Sequence, residues 1–132
     1  VAAHTAGAAG DEEIDLEGHH IPWIIYAPKL VKARRIDMPV SQLDVLPTLL
    51  GLLNFDYESR FYGQDALSPD RFFVSNFQKI GYVKNGAGVI LKPVRDYAVL
   101  PAGTQPTHVQ TLLDEAVAFY QSASHWKHFL KK

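Results

Sequence analysis

The sequence predicts a mixed α/β fold from three observations. One short apolar run in the first half, residues 21–27, is bounded by prolines and is typical of a buried strand rather than a helix. The second half contains four short runs of strand-forming residues. The chain then ends in a long segment with apolar residues at helical spacing. We therefore expect a strand and a helix, followed by a small antiparallel sheet and a C-terminal helix.

Length and composition limit the class of protein. A chain of 132 residues is long enough for one domain with a hydrophobic core and short for two. The net charge of −1 provides no basic surface, so we expect no nucleic-acid partner. The absence of cysteine excludes disulfides and thiolate metal ligands. Because the sequence opens with Val1, inside an expected element, we interpret it as a piece of a longer protein.

The first half is organised around the apolar run, which His19 and His20 precede. Prolines flank a strand expected at 23–27, since proline donates no hydrogen bond to a sheet. Upstream, an acidic run at 11–13 is interpreted as solvated surface rather than a cation site. Downstream, basic residues at 29–35 predict an exposed loop or, alternatively, a surface that faces an anionic substrate or lipid headgroup.

A helix start is predicted at Ser41 and Asp44, which have the spacing of a capping box. Pro47 leaves two alternatives, a kinked helix from Ser41 or a helix capped by Asp44 with Pro47 in its first turn. Asn54 is a suitable C-terminal stop, and 54–70 is expected to be a loop. Leucines at three- and four-residue spacing predict a face that packs in the core: Leu43, Leu46, Leu49, Leu50 and Leu53.

The second half predicts a three- or four-stranded antiparallel meander. Its strand-like runs are 71–78, 81–84, 89–92 and 96–100. Residues 85–88 predict a hairpin turn, and 93–96 a weaker one. After a linker at 101–106, a capping box at Thr107 predicts a helix to about Leu130. The apolar face of this helix is expected to hold Val109, Leu112, Leu113, Ala116, Tyr120 and Ala123.

The candidate metal-binding or catalytic residues are His4, His19 and His20. Imidazole titrates near neutrality and binds metals, and three histidines around one acidic loop suffice for a zinc-like centre. The alternative is that they are hydrogen-bonded loop residues. The sequence contains no nucleophile elbow and no phosphate-binding glycine loop, so the residue types alone leave this choice open.

Three segments occur in an order that adds information: the His20-Ile21-Pro22 strand, the Asp44-x-x-Pro47-Thr48-Leu49-Leu50 helix, and the turn Tyr62-Gly63-Gln64-Asp65-Ala66-Leu67. In this order they resemble the C-terminal portion of the sulfatase / alkaline-phosphatase-like superfamily. The most similar branch is that of the lipoteichoic-acid-synthase-like phosphoglycerol transferases. The resemblance covers essentially the whole chain, including the small sheet and a final helix.

The resemblance implies a fold and a set of site residues. The fold would be the C-terminal part of an alkaline-phosphatase-like three-layer sandwich, with 1–70 as the end of the catalytic α/β core and 71–132 as antiparallel strands plus a helix. His4 matches a ligand of a divalent metal, Mn or Zn. His20 matches a histidine that faces the phosphate or sulfate of the substrate or a second metal. Ala3 stands where the family has a metal-binding aspartate, which removes a carboxylate ligand.

The resemblance also implies a function for the parent protein. It would transfer a phosphoglycerol- or phosphoethanolamine-type group from a phospholipid through a covalent Thr or Ser intermediate, or hydrolyse phosphate or sulfate esters as a sulfatase-like enzyme. It would lie at the cell membrane through an N-terminal anchor, with this domain in the periplasm. The nucleophile lies outside this chain, so no catalytic residue is assigned here and the chain by itself is expected to be inactive.

Two further expectations concern binding. Ala3 supports the alternative of a non-catalytic relative that binds lipid or protein partners. A fragment of such a fold would also expose an unpaired strand edge and apolar surface, which predicts a homodimer or aggregation.

Overall fold

The computed structural model describes residues 14–16, 18–60, 62–76 and 78–129. Residues 127–129 are described by their backbone alone. The chain is mixed α/β, with a four-stranded antiparallel sheet and a C-terminal helix, which confirms the predicted fold class at this level. It divides into two compact units, residues 1–72 and 73–132. These are the N-terminal unit and the C-terminal unit below.

The sheet has four strands in sequential order, as the predicted meander requires. They are β1 (Arg71–Ser75), β2 (Ile80–Lys84), β3 (Ala87–Lys92) and β4 (Asp96–Leu100). Between β2 and β3 the turn is only Asn85 and Gly86, shorter than predicted, because Lys84 already pairs with Ala87. Both turn residues have positive φ, 51° and 79°, which suits a two-residue hairpin and explains the Asn-Gly sequence.

The core of the C-terminal unit lies between the sheet and helix α2 (Pro106–Phe129). Its buried residues are Tyr82, Ala87, Val89, Val109, Leu112 and Ala116, with Phe73, Leu91, Val99, Leu113 and Phe119 packed around them. The predicted helix face is therefore right through Ala116 and wrong for Tyr120, which is 55% exposed, and for Ala123, which is also exposed. Phe119 packs in place of Tyr120, with its ring 5.0 Å from that of Phe73, because both positions continue the helical spacing and tertiary packing selects one.

The predicted capping box at Thr107 is wrong, because helix α2 begins at Pro106 and Thr107 lies inside it. Proline suits the first helical position, where its missing N–H has no intrahelical acceptor.

In the N-terminal unit, the prediction of a buried strand at 23–27 is wrong. These residues have no helix or strand assignment, and their exposure alternates along the chain. Ile24 is 83% and Tyr26 is 90% exposed, whereas Trp23 and Ile25 are half-buried. A strand requires a partner for its backbone, and the described part of the chain provides none for this segment.

The predicted capping box is present. Ser41 precedes a 3-10 turn at Gln42–Asp44, and helix α1 (Val45–Leu52) follows with Asp44 as its N-cap. Pro47 therefore lies in the first turn of α1, which is the second of the two predicted alternatives. Asn54, just beyond the helix, has φ 54°, the left-handed conformation expected of a C-terminal stop.

The prediction that the leucine face of α1 packs in the core is wrong. Leu50 is half-buried, and the other four are exposed by 38–57%: Leu43, Leu46, Leu49 and Leu53. The buried face of this region instead carries Ser41, Asp44 and Thr48, which are at most 4% exposed. Their burial follows from the hydrogen bonds described below.

A search of the described residues for a helix both long enough and apolar enough to cross a bilayer finds none.

Candidate functional site

The motif residues of the N-terminal unit meet around the buried carboxylate of Asp44. Its Oδ2 accepts a hydrogen bond from the backbone N–H of Ser41, and its Oδ1 accepts one from the backbone N–H of Gln64, both at 2.8 Å. Asp44 is fully buried, and a buried carboxylate without such donors would be costly. The side chain of Asp44 thus makes both the local capping hydrogen bond with Ser41 and a hydrogen bond with Gln64, twenty positions along the chain.

Thr48 adds a second connection between the same two segments. Its hydroxyl donates to the backbone carbonyl of Asp44 at 2.5 Å and accepts from the backbone N–H of Ala66 at 2.8 Å. Because Asp44 and Thr48 are one helical turn apart, both face the turn at 62–67. The Asp-x-x-Pro-Thr motif therefore holds the Tyr-Gly-x-Asp-x-Leu motif by its backbone.

Gly63 permits the close approach that these bonds require. A Cβ at this position would lie 1.9 Å from the carbonyl oxygen of Leu43, so any side chain would displace one backbone from the other. The turn is closed by Asp65, whose Oδ1 accepts from the N–H of Leu67 at 2.9 Å. We call Asp44, Thr48, Gly63, Gln64 and Ala66 the helix–turn clamp.

The clamp is a structural assembly rather than a reactive site. Both carboxylate oxygens of Asp44 bind backbone donors, and the side chains of Asp44 and Thr48 are buried. Neither side chain is placed to meet a ligand. The clamp explains the sequence motif without assigning it chemistry.

Of the three candidate histidines, His19 and His20 lie among the described residues, and His20 is exposed. The residues directly after it, Ile21–Trp23 in sequence, border a small pocket together with the start of the α1 region. The pocket has a volume of about 50 Å³. A water molecule occupies about 30 Å³ and ligand sites usually exceed about 300 Å³, so this pocket accommodates water rather than a substrate.

His19 has the geometry of a hydrogen-bonded loop residue. Its Nδ1 lies 2.6 Å from the carbonyl oxygen of Asp15, to which it donates. The carboxylate of Asp15 in turn accepts from the backbone N–H of Gly18 at 2.8 Å. His19 and Asp15 therefore hold the loop before the apolar run.

The divalent metal that the resemblance implies is not supported by the described residues. No group of three or more His, Asp or Glu side chains that could hold an ion occurs among them. His4, Ala3 and the acidic run at 11–13 lie outside the described residues. The metal assignment accordingly depends on His4 and on the sequence alone.

The basic segment at 29–35 is an exposed loop. Arg35 pairs with Asp37 at 2.5 Å, with both side chains more than 70% exposed, and Arg34 donates weakly to the carbonyl of Leu67 at 3.4 Å. Lys29 borders a broad open depression with Ala27, Pro28 and Leu30. The residues of this segment form no concave site with converging cations. The geometry therefore favours an exposed loop over a surface that faces an anionic substrate or lipid headgroup.

One polar contact in the C-terminal unit was not predicted from the sequence. Glu115 on α2 accepts hydrogen bonds from the hydroxyl of Tyr82 and from Nζ of Lys84, the latter at 2.9 and 3.0 Å. The signal in the sequence is weak, an acidic residue directly before Ala116 on the apolar helix face. This contact ties α2 to β2, and we assign it a structural role.

No protein-family model, no curated protein and no solved structure matches this chain.

Proposed function

We propose that this chain is the C-terminal part of a metal-dependent transferase of the sulfatase / alkaline-phosphatase-like superfamily, and that its fold forms part of the three-layer sandwich of that superfamily. The whole protein would move a phosphoglycerol- or phosphoethanolamine-type group from a lipid through a covalent Thr or Ser intermediate. A sulfatase-like hydrolysis of phosphate or sulfate esters is the close variant. The nucleophile would come from sequence outside this chain, and the domain would lie on the periplasmic side of the cell membrane.

The observation that carries this proposal is the helix–turn clamp. The resemblance depends on two motifs occurring in one order, and the clamp gives that co-occurrence a physical cause. The side chains of Asp44 and Thr48 in the first motif accept hydrogen bonds from the backbone N–H groups of Gln64 and Ala66 in the second. A chain that has one motif needs the other to satisfy these buried groups. This supports membership of the family more strongly than it supports catalysis.

In this proposal His20 faces the substrate and His4 binds the metal. An exposed imidazole can donate a charge-assisted hydrogen bond to a phosphate or sulfate oxygen when it is protonated. A second candidate function, a non-catalytic domain that binds lipid or protein, is favoured by Ala3. An alanine at this position removes the carboxylate that would complete the metal site with His4.

Metal binding by matched variants tests the proposal. The purified chain would be equilibrated with Mn²⁺ or Zn²⁺ and desalted, and bound metal measured by mass spectrometry. We expect Ala3→Asp to raise the affinity by at least about tenfold, since even outer-shell changes at metal sites have effects of this size. His4→Ala should abolish binding. His125→Ala is the control, because His125 is exposed on α2 and bonds only within its own helix.

Two outcomes would contradict the proposal. If Ala3→Asp and His4→Ala bind the same amount of metal as the His125→Ala control, His4 is not a ligand. If the unaltered chain alone hydrolyses nitrophenyl phosphate, phosphodiester or sulfate, its nucleophile lies within these 132 residues.

A further inference from the structure

Residues 21–27, which we call the edge segment, have no helix or strand assignment, and no described strand pairs with them. The described residues form no hydrogen bond with the backbone of Trp23, Ile24 or Ile25. Among the described residues, the next backbone hydrogen bonds along the chain are at Ala27, whose carbonyl accepts from the N–H groups of Leu30 and Val31 at 2.9 and 2.8 Å. The edge segment therefore presents backbone donors and acceptors of the kind that pair with another strand.

The side chains of the edge segment alternate between two environments. Pro22, Ile24 and Tyr26 are exposed, whereas Ile21, Trp23, Ile25 and Ala27 are half-buried. Alternation with a period of two is the side-chain pattern of a β-strand, so the segment presents one side-chain face outward, as strand pairing needs.

We propose that the edge segment pairs with the edge segment of a second copy of this chain, antiparallel and about a two-fold axis at Ile24. This interface is independent of the proposed function. An isologous contact of this kind is the commonest symmetry of protein oligomers.

The register follows from Pro22. In an antiparallel pair, opposed residues alternate between hydrogen-bonded and non-hydrogen-bonded positions. Proline has no N–H, so Pro22 requires a non-hydrogen-bonded position. With the axis at Ile24, the even-numbered residues all take such positions, and Trp23 of each copy exchanges hydrogen bonds with Ile25 of the other.

The side chains are self-complementary in this register. Ile24 meets Ile24 across the axis, and Tyr26 of one copy meets Pro22 of the other, so only apolar groups oppose each other on the exposed face. Ile24 and Tyr26, at 83% and 90% exposure, are among the most exposed large apolar side chains described. Apolar and aromatic cross-strand pairs stabilise a sheet, whereas like charges in these positions oppose it.

The charge of the chain favours a second copy as the occupant. At a net charge of −1, two copies repel each other little, and the edge segment itself contains no charged residue. Outside the segment, Lys29 of one copy would oppose His19 of the other, not a second lysine.

A cysteine scan tests the register directly, because the chain contains no cysteine. Non-hydrogen-bonded opposed residues have Cα atoms about 4.5 Å apart, within the range of a disulfide. We expect Ile24→Cys to form a disulfide-linked dimer under mild oxidation. In the same register the two copies of Tyr26→Cys would be about 13 Å apart along the strand, which is beyond the reach of a disulfide. Val94→Cys, at a residue 97% exposed in the C-terminal unit, reports random collision.

The expected result is that Ile24→Cys cross-links about tenfold or more faster than Tyr26→Cys and Val94→Cys, since pairing holds its two thiols together. Equal rates for the three variants would overturn the proposal. Faster linkage of Tyr26→Cys than of Ile24→Cys would overturn the register.

Light scattering of the unmodified chain and two lysine variants provides an independent readout. We expect Ile24→Lys to raise the dimer dissociation constant by about tenfold or more, because it places like charges on the axis. Val94→Lys introduces the same positive charge at a site outside the interface and should leave the dimer dissociation constant unchanged. Circular dichroism should show both variants folded, since Ile24 and Val94 are exposed in the single chain. If the unmodified chain and Ile24→Lys are both monomers at every concentration, a second copy is not the occupant.

Discussion

The two units of this chain use their buried side chains in opposite ways. The C-terminal unit buries apolar residues from the sheet and from α2, including Tyr82, Val89 and Leu112 at 1% exposure or less. In the N-terminal unit, three of the five described buried residues are polar, Ser41, Asp44 and Thr48, and no leucine of α1 is buried. The two buried apolar residues are Ile14 and Ala66.

This difference indicates which interactions hold each unit together. Burial of apolar surface stabilises the C-terminal unit and requires no specific partner atom. The clamp of the N-terminal unit instead depends on individual hydrogen bonds, each of which contributes only about 1 kcal/mol net but is costly to leave unmade when buried. The N-terminal unit also leaves apolar side chains exposed on α1 and in the edge segment, so it has the surface for a partner.

The largest expected effect comes from truncating one leucine in each unit. Leu112→Ala should lower the free energy of unfolding of the C-terminal unit by about 2–5 kcal/mol, because Leu112 is buried in the core and leaves a cavity. Leu46→Ala on α1 should change that of the N-terminal unit by only about 0.5 kcal/mol, because Leu46 is already 49% exposed.

Urea unfolding followed by tryptophan fluorescence measures both changes. The chain has two tryptophans, Trp23 in the N-terminal unit and Trp126 in the C-terminal unit, so a Trp→Phe background at either position reports on the other unit. A cost for Leu46→Ala as large as that for Leu112→Ala would remove the contrast between the units.

Two glycines of the N-terminal unit should respond with opposite signs. Gly63→Ala should destabilise this unit by about 1–3 kcal/mol, because its Cβ would lie 1.9 Å from the carbonyl oxygen of Leu43 and separate the clamp. Gly51→Ala should stabilise it by about 0.5–1 kcal/mol, since Gly51 lies in α1 with nothing within 4 Å of an added Cβ. The fluorescence of Trp23 during urea unfolding reports both. Destabilisation by both variants would mean that the close contact at Gly63 does not explain why an added Cβ destabilises that position.

The smallest effect is expected for the ion pair of the C-terminal unit. Lys84→Met should cost at most about 1 kcal/mol, because the side chains of Lys84 and Glu115 remain 28% and 32% exposed to solvent. Since salt screens such a pair, the cost should decrease at high ionic strength, whereas that of Leu112→Ala should not. Urea unfolding of both variants at low and high salt makes the comparison. A cost that is large and independent of salt would show that the C-terminal unit, too, depends on a buried polar contact.

Signals that depend on near neighbours were predictable from the sequence. The Ser41–Asp44 capping box, the stop at Asn54 and the Asn85-Gly86 hairpin each depend on the conformational preferences of a few adjacent residues. The same holds for the meander, whose composition and turns predicted strands in sequential order but left their number at three or four. Of the three candidate histidines, the structure describes the exposed His20 and the hydrogen-bonded His19. Whether a histidine binds a metal or a substrate depends on other ligand groups brought to it by the fold, and the neighbouring sequence does not specify those groups.

By itself, then, the sequence determined the order of the elements from α1 onward, their limits to within a few residues, and the antiparallel sheet with its final helix. Only the tertiary structure decided which face of α1 is buried, because backbone N–H groups of Gln64 and Ala66, far along the chain, bind Asp44 and Thr48. It likewise decided that the apolar run at 23–27 is not a strand. Hydrophobic spacing indicates that a face can be buried, but burial and pairing require a partner surface, and that surface is not encoded in the spacing itself.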